Sequence, residues 1–420
     1  MRRRTFLLGP LVALSQRAAW ARTPDYPAVT SGHPLVFPRD YGAHSSYRTE
    51  WWYVTGWLQT EADAAADATP GAAAPGAVAP GAVAPGAVAH ASLGFEATFF
   101  RTRPALDEAN PSRFAPNQLL FANIALSDPR AGSLQHDQRV ARRGFGLADA
   151  SETDTAVHID DWSLERELQG RYRLSVATPD FSFSFMLTPT QPVLLNGAAG
   201  YSRKGPLPGE ASYYYSEPWL LVDGVLRRSE RSGHARGDGE HVRGRAWLDH
   251  EWSSAPLADE AVGWDWIGIN FDDGGALMAL QIRDKAGRKF WAGGTLRAAD
   301  GSTQALSGDS VSFTPLRQWR SPHTGARYPV AMRVDAQDLH LTLVPLMDDQ
   351  EFDSRATTGA VYWEGAVTAF RADAAAGKPV SASASTSTST STSENAAKPA
   401  PKPVGRGYLE LTGYVQRLEL

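Results

Sequence analysis

Apolar and polar residues alternate over short runs of this chain, the period of strands that bury one face. The alternation is clearest in 50–58, 181–187, 246–252, 264–271, 276–283 and 408–417. Asp223-Gly224, Asp273-Gly274, Ala286-Gly287 and Asp300-Gly301 supply turns between such runs. No stretch longer than about a dozen residues keeps a helical period. Many short strands joined by Gly/Asp turns predict an all-β sandwich or barrel.

Two segments break the pattern. Residues 61–90 are rich in Ala, Pro and Gly and repeat Pro-Gly-Ala-Val-Ala from Pro75, Pro80 and Pro85. Residues 373–404 carry an alternating Ser/Thr tract followed by Lys398-Pro399-Ala400-Pro401-Lys402-Pro403. Neither has the apolar content to build a core, so both are expected to be flexible. Each falls between two strand-like runs, 50–60 and 93–101, then 361–370 and 407–418. A hairpin with an enlarged loop is the simplest reading, because closure entropy grows only logarithmically with loop length. Gly205-Pro206-Leu207-Pro208-Gly209 is the strongest internal break. It predicts one barrel over 22–208 and a second over 209–420.

Composition narrows the function classes. The 420 residues include no cysteine, which excludes a disulfide framework, thiolate metal sites and a cysteine nucleophile. The formal charge of −5, with Lys and Arg scattered among acids, speaks against a nucleic-acid partner. The N-terminus carries an address. Arg3-Arg4-Thr5-Phe6-Leu7 reads as a twin-arginine motif, a short apolar stretch follows, and Ala19-Trp20-Ala21 offers a small-x-small cleavage site. The apolar stretch is shorter than the roughly 20 residues a membrane span needs. A signal segment 1–21 and a periplasmic or secreted mature protein without an integral span are therefore expected.

Phe37-Pro38-Arg39-Asp40-Tyr41-Gly42-Ala43-His44 and Arg48-Thr49-Glu50-Trp51-Trp52-Tyr53-Val54-Thr55-Gly56 are followed by several further distinctive segments. These are Gly200-Tyr201-Ser202-Arg203-Lys204-Gly205, Tyr213-Tyr214-Tyr215-Ser216, Gly244 to Trp252 with Asp249-His250-Glu251-Trp252 at its end, and Trp264-Asp265-Trp266. In this order the motifs resemble the hydroxyneurosporene synthase (carotenoid hydratase) family, also described as predicted secreted hydrolases. The resemblance covers the chain outside the signal and the inserts. It implies two lipocalin-like β-barrel domains with a site at or near their junction.

Strand parity gives a separate view of the chemistry. His250 shares a face with Ala246, Leu248 and Trp252, while Asp249 and Glu251 point the other way with Trp247. Asp265 shares a face with Ile267, Ile269 and Phe271, and Glu50 with Trp52, Val54 and Leu58. A charge buried among such neighbours must be paired, protonated or hydrated. Alkene hydration needs a carboxylic acid that keeps its proton near neutrality, an aromatic face for the cation and a base for the water. Asp265 as acid, His250 as base and Trp252 as cation stabiliser fit that scheme, with Glu50 nearby. Trp52, Tyr53, Tyr201, Tyr214 and Trp266 are the candidates to line a ligand cavity. Structural roles compete for the same residues: Glu50 salt-bridged to Arg48 or to an Arg across the barrel, His250 bonded to a backbone carbonyl, and Asp265 capping a turn or paired with Arg245.

The ten histidines contain no His-x-His or His-x-x-x-His pair, so no metal site is expected. Gly-x-Ser-x-Gly and Gly-rich nucleotide loops are absent as well, and no cofactor is expected. The expectation is a cofactor-free lyase-type enzyme, a hydratase or isomerase, acting on an apolar isoprenoid- or polyketide-like small molecule. A periplasmic carrier of a hydrophobic ligand is the alternative. The secreted-hydrolase label finds no nucleophile motif.

Overall fold

A computed structural model describes residues 25–61, 92–106, 112, 114–229, 239–372 and 401–418. The expected signal segment, residues 62–90 of the first insert and 373–400 of the second lie outside the described residues. Both expected hairpins are present. Strand Thr49–Thr60 pairs antiparallel with Ser92–Thr102, and Ala360–Arg371 pairs with Pro403–Leu411. The last of these begins at Pro403, inside the expected second insert, and ends at Leu411 rather than near 417.

The described residues form 23 strands in two sheets, with two three-residue 3-10 turns among them. The first sheet has thirteen strands and the second has ten. In the first, the edge strands Gln135–Arg142 and Ala148–Ala150 are consecutive in the chain, so the sheet curls almost closed. The second sheet ends in the consecutive strands Thr303–Leu306 and Val311–Arg320 and curls in the same sense. Each sheet wraps its own core. Trp52, Phe95, Phe99, Trp162, Tyr172 and Phe185 belong to the first, and Ile267, Ile269, Met332, Leu343, Trp363 and Leu409 to the second.

The boundary between the sheets differs from the expectation. Strands Ala211–Arg228 and Glu240–Ser253 pair with Phe181–Pro189 and Thr49–Thr60, inside the first sheet. The break therefore falls between Ser253 and Ala261, not after Pro208. Gly205 to Gly209 is a turn within one sheet, where Tyr201–Arg203 folds back on Ala211–Tyr213. Gly and Pro mark a reversal of the chain equally well within a domain and between domains.

Where the sheets meet, strands bury both faces. In Thr49–Thr60 the even residues Trp52, Val54 and Leu58 enter the first core, while Tyr53 and Trp57 pack against Trp247, Trp266, Met278 and Tyr408. Trp57 Nε1 donates to the Gly407 carbonyl at 2.9 Å, and Asn123 Nδ2 donates to Tyr362 Oη at 2.8 Å. Gly94 lies at this contact because a Cβ there would come within 2.7 Å of the Ala366 methyl and 2.6 Å of Tyr408 Oη. Its missing side chain lets the two barrels approach closely.

Candidate functional site

A cavity of ≈ 320 Å³ opens at this junction. Its aromatic walls include Trp51, Tyr53 and Tyr214 from the first barrel and Trp264, Trp266 and Tyr362 from the second. Glu96, Asp249, Glu251, Glu364 and Glu410 enter it from four strands, with Lys204 at the same lining. Parity explains the gathering. Asp249 and Glu251 face away from the first core, Glu96 stands opposite the inward Phe95 and Ala97, and Glu364 and Glu410 stand opposite the inward Trp363 and Leu409.

Most of these acids lack a cation. Lys204 pairs with Glu251, which also accepts from Ser212 Oγ, and its ammonium lies 4.8 Å from the Trp51 ring centroid. Asp249 instead collects neutral donors: Tyr214 Oη at 2.6 Å, Ser216 Oγ at 2.5 Å and Trp247 Nε1 at 2.6 Å. Burial outweighs these bonds and pushes its carboxyl up to about 7. Glu96 is pushed up to about 8 by burial, despite a bond from Thr98 Oγ1 and with added repulsion from Glu410. Burial and the charges of Glu96 and Glu410 raise Glu364 well above the usual carboxylate range. Glu410 is raised by burial to about 7, against the bond that Trp264 Nε1 donates at 2.9 Å. Glu96, Glu364 and Glu410 interact and titrate as a set, so the cavity retains protons near neutrality. Among the described residues, Glu96 Oε2, Glu364 Oε1 and Asn123 Oδ1 are buried without a hydrogen bond.

A second polar group fills the mouth of the first barrel. Glu50 pairs across the sheet with Trp252, and Trp52 with His250. The Glu50 carboxylate accepts from Arg101 Nε at 2.8 Å, His250 Nε2 at 2.8 Å, His44 Nδ1 at 2.8 Å and the His44 backbone N–H. Burial would raise its pKa, but the Arg101 charge and the histidine bonds hold it well below the usual range. His44 comes from the segment ahead of the first strand. It stacks on Trp252 with centroids 3.6 Å apart, and its Nε2 lies 3.2 Å from Asp40 Oδ1. Burial lowers the His44 pKa, and bonds to Asp40 and Glu50 more than offset this, for a net rise. His250 is lowered by burial, only partly offset by Glu50, and its Nδ1 lies 3.0 Å from Tyr215 Oη.

Comparison with known proteins agrees with this architecture. Residues 28–68 and 86–414 match the model of the AttH-like family. The chain belongs to the AttH-like family. A crystal structure described as an AttH from Nitrosomonas europaea is 46% identical, covers 93% of this chain and 100% of its own, and has a TM-score of 0.74. Kievitone hydratase from Nectria haematococca is 14% identical over 94% of this chain and 99% of its own, with a TM-score of 0.59. At that identity the likeness shows the fold alone. No curated protein matches the chain.

In this AttH-like protein the residues singled out from sequence divide between three places. Tyr53, Tyr214 and Trp266 line the junction cavity. Glu50, Trp52, His250 and Trp252 sit together at the mouth of the first barrel, and Glu50 also reaches the cavity lining. Asp265 joins neither group. It is buried in the second barrel, where Arg283 Nε donates to it at 3.0 Å and Tyr414 Oη at 2.9 Å. The cause is parity: Trp264 and Trp266 face the junction, so Asp265 between them faces the opposite way. An acid paired to a buried guanidinium, in a different barrel from His250, does not supply the proton of a shared site. Tyr201 donates to the Pro208 carbonyl and packs in the first core, away from the cavity lining. The four cavity carboxyls with raised pKa, Glu96, Asp249, Glu364 and Glu410, were the residues missed. Their signal was a lone acid inside an otherwise apolar strand, as in Leu93-Gly94-Phe95-Glu96-Ala97 and Trp363-Glu364-Gly365-Ala366.

Proposed function

We propose that this AttH-like protein is a cofactor-free lyase-type enzyme, a hydratase or isomerase, whose site is the junction cavity. The observation that carries this reading is the set Glu96, Glu364, Glu410 and Asp249, held protonated near neutrality among Trp and Tyr side chains. One of these carboxyls transfers its proton to an alkene carbon of an apolar isoprenoid- or polyketide-like substrate. The cation left on the neighbouring carbon faces Trp264 and Trp266. Water then adds there and gives up its proton to the carboxylate formed in the first step, which completes a hydration. Loss of a proton from an adjacent carbon completes an isomerisation instead. That a protein of the same fold is a kievitone hydratase supports the hydratase form, as does the resemblance to carotenoid hydratases. Export of the folded protein through the twin-arginine route belongs to the same proposal.

Aromatic walls alone also suit a carrier, and one experiment separates the two. Organic extracts of the protein purified from its native source are analysed by mass spectrometry. The extracted compound is then returned to the protein in D2O. Deuterium gain or addition of water that is lost in Glu364→Gln supports the enzyme. Recovery of an unchanged compound by wild-type protein supports the carrier.

A further inference from the structure

The group at the mouth of the first barrel has a geometry that the junction chemistry does not use. His44 Nδ1, Glu50 Oε1 and His250 Nε2 lie so that ligand atoms of all three residues fall within 4.8 Å of one another. Among the described residues no other three His, Cys, Asp or Glu side chains do so. Oε1 is 2.8 Å from each imidazole nitrogen. Donor atoms on a shell of radius about 2.1 Å stand about 3 Å apart in octahedral and about 3.4 Å apart in tetrahedral geometry. The 2.8 Å from Oε1 to each nitrogen is a few tenths of an ångström short of the octahedral spacing.

What surrounds the three donors matters as much. Each is held from behind by a separate group: Asp40 Oδ1 3.2 Å from His44 Nε2, Tyr215 Oη 3.0 Å from His250 Nδ1, and Arg101 Nε on Glu50 Oε2 at 2.8 Å. A carboxylate or hydroxyl on the far nitrogen of each imidazole is the usual outer shell of a histidine-ligated metal. It fixes ring orientation and supplies an acceptor for the proton that must sit on that far nitrogen. Tyr215 serves either tautomer of His250, as donor to a bare Nδ1 or acceptor from a protonated one. The rings are clamped too, His44 against Trp252 and His250 against Trp52 at 4.7 Å.

We propose that His44, Glu50 and His250 form a binding site for one divalent first-row transition ion such as Zn2+. Two imidazoles and one carboxylate are the donor types that such ions take, and the remaining position is left to water. On binding, the ion displaces the Nδ1 proton of His44 to solvent, while the single ring proton of neutral His250 shifts from Nε2 to Nδ1, where Tyr215 Oη accepts it. Glu50 is already ionised, and its bond from Arg101 stays on the oxygen that does not face the ion. The three ligands come from the segment before the first strand, from Thr49–Thr60 and from Glu240–Ser253. The ion therefore staples that leading segment to the barrel. Glu50 and Arg101 also stand at the lining of the junction cavity, so the site adjoins it, yet metal uptake is read without the reaction proposed there.

The test is metal uptake by the full-length folded protein. Titration of chelator-treated wild-type protein with Zn2+ followed by calorimetry is expected to show one equivalent per chain. His44→Gln and His250→Gln should each weaken it at least roughly 100-fold, since loss of an outer-shell partner alone costs 10–100-fold. His323→Ala, which removes an exposed histidine beside Asp349, should leave that equivalent in place. If either glutamine variant fails to fold, nitrogen-15 spectra of histidine-labelled wild-type protein decide: zinc should move the ring signals of His44 and His250. No stoichiometric uptake by the folded wild type, uptake that survives both folded variants, or shifts confined to other histidines would overturn the proposal.

Discussion

Tyr214 donates its hydroxyl proton to Asp249 across 2.6 Å and accepts from Trp266 Nε1 at 3.2 Å, so one phenol links the two barrels at the cavity wall. The bond favours the ionised form of Asp249 and opposes the rise that burial imposes. Tyr214→Phe removes it without changing ring size. Asp249, now near 7, is expected to keep its proton to higher pH, by up to about one unit. Carbon-13 titration of labelled aspartate reads this directly, and a downward shift would show that the phenol is not the controlling donor.

Burial of Glu96 has a consequence for stability. Its folded pKa of about 8 lies above the ordinary 4.5, so the folded state holds a proton that the unfolded state has released between those values. Stability from this group is present below about pH 4.5 and is lost as pH rises towards 8. Glu96→Gln keeps the neutral shape at every pH. Urea unfolding should find the variant close to wild type at pH 5 and more stable by roughly 1–3 kcal/mol at pH 9. An equal change at both pH values would contradict a protonated Glu96.

The sequence made the barrels legible because period-two alternation and Gly/Asp turns act locally. Strand Ala261–Phe271 and the hairpin partners of both inserts follow from that pattern. The domain break was not legible, since Gly205 to Gly209 signals a reversal without saying which sheet the next strand joins. Parity correctly separated His250 from Asp249 and Glu251, yet it could not say which face of a strand buried on both sides looks into a cavity. Asp265 illustrates the gap: its aliphatic face is real, but Arg283 and Tyr414 arrive from elsewhere in the chain. His44 and His250 lie about 200 positions apart, so no local spacing rule relates them.

Two buried ion pairs should behave as structural. Glu50→Ala strips the partner from Arg101, which is 2% exposed, and Asp265→Asn removes the countercharge of buried Arg283. Each is expected to lower the unfolding free energy by about 3–5 kcal/mol, the cost of an uncompensated buried charge. Thermal and urea denaturation measure it. A nearly neutral Asp265→Asn variant with altered ligand chemistry would return Asp265 to the functional site.

The leading segment offers a test in cells. Replacing Arg3 and Arg4 by Lys should leave uncleaved precursor in the cytoplasm, detected by fractionation and immunoblotting. Unimpaired export of that variant would refute the twin-arginine route.

Every step assigned to the junction cavity needs a carboxyl that still carries its proton at pH 7. Carbon-13 NMR of carboxyl-labelled protein, with Glu96→Gln, Glu364→Gln, Glu410→Gln and Asp249→Asn to assign the signals, measures this without knowledge of the substrate. The account predicts that Asp249 and Glu410 titrate near 7, Glu96 near 8 and Glu364 well above its ordinary value. Titration of all four below pH 5 would contradict it, because an ionised cavity could hold a cation but could not protonate an alkene.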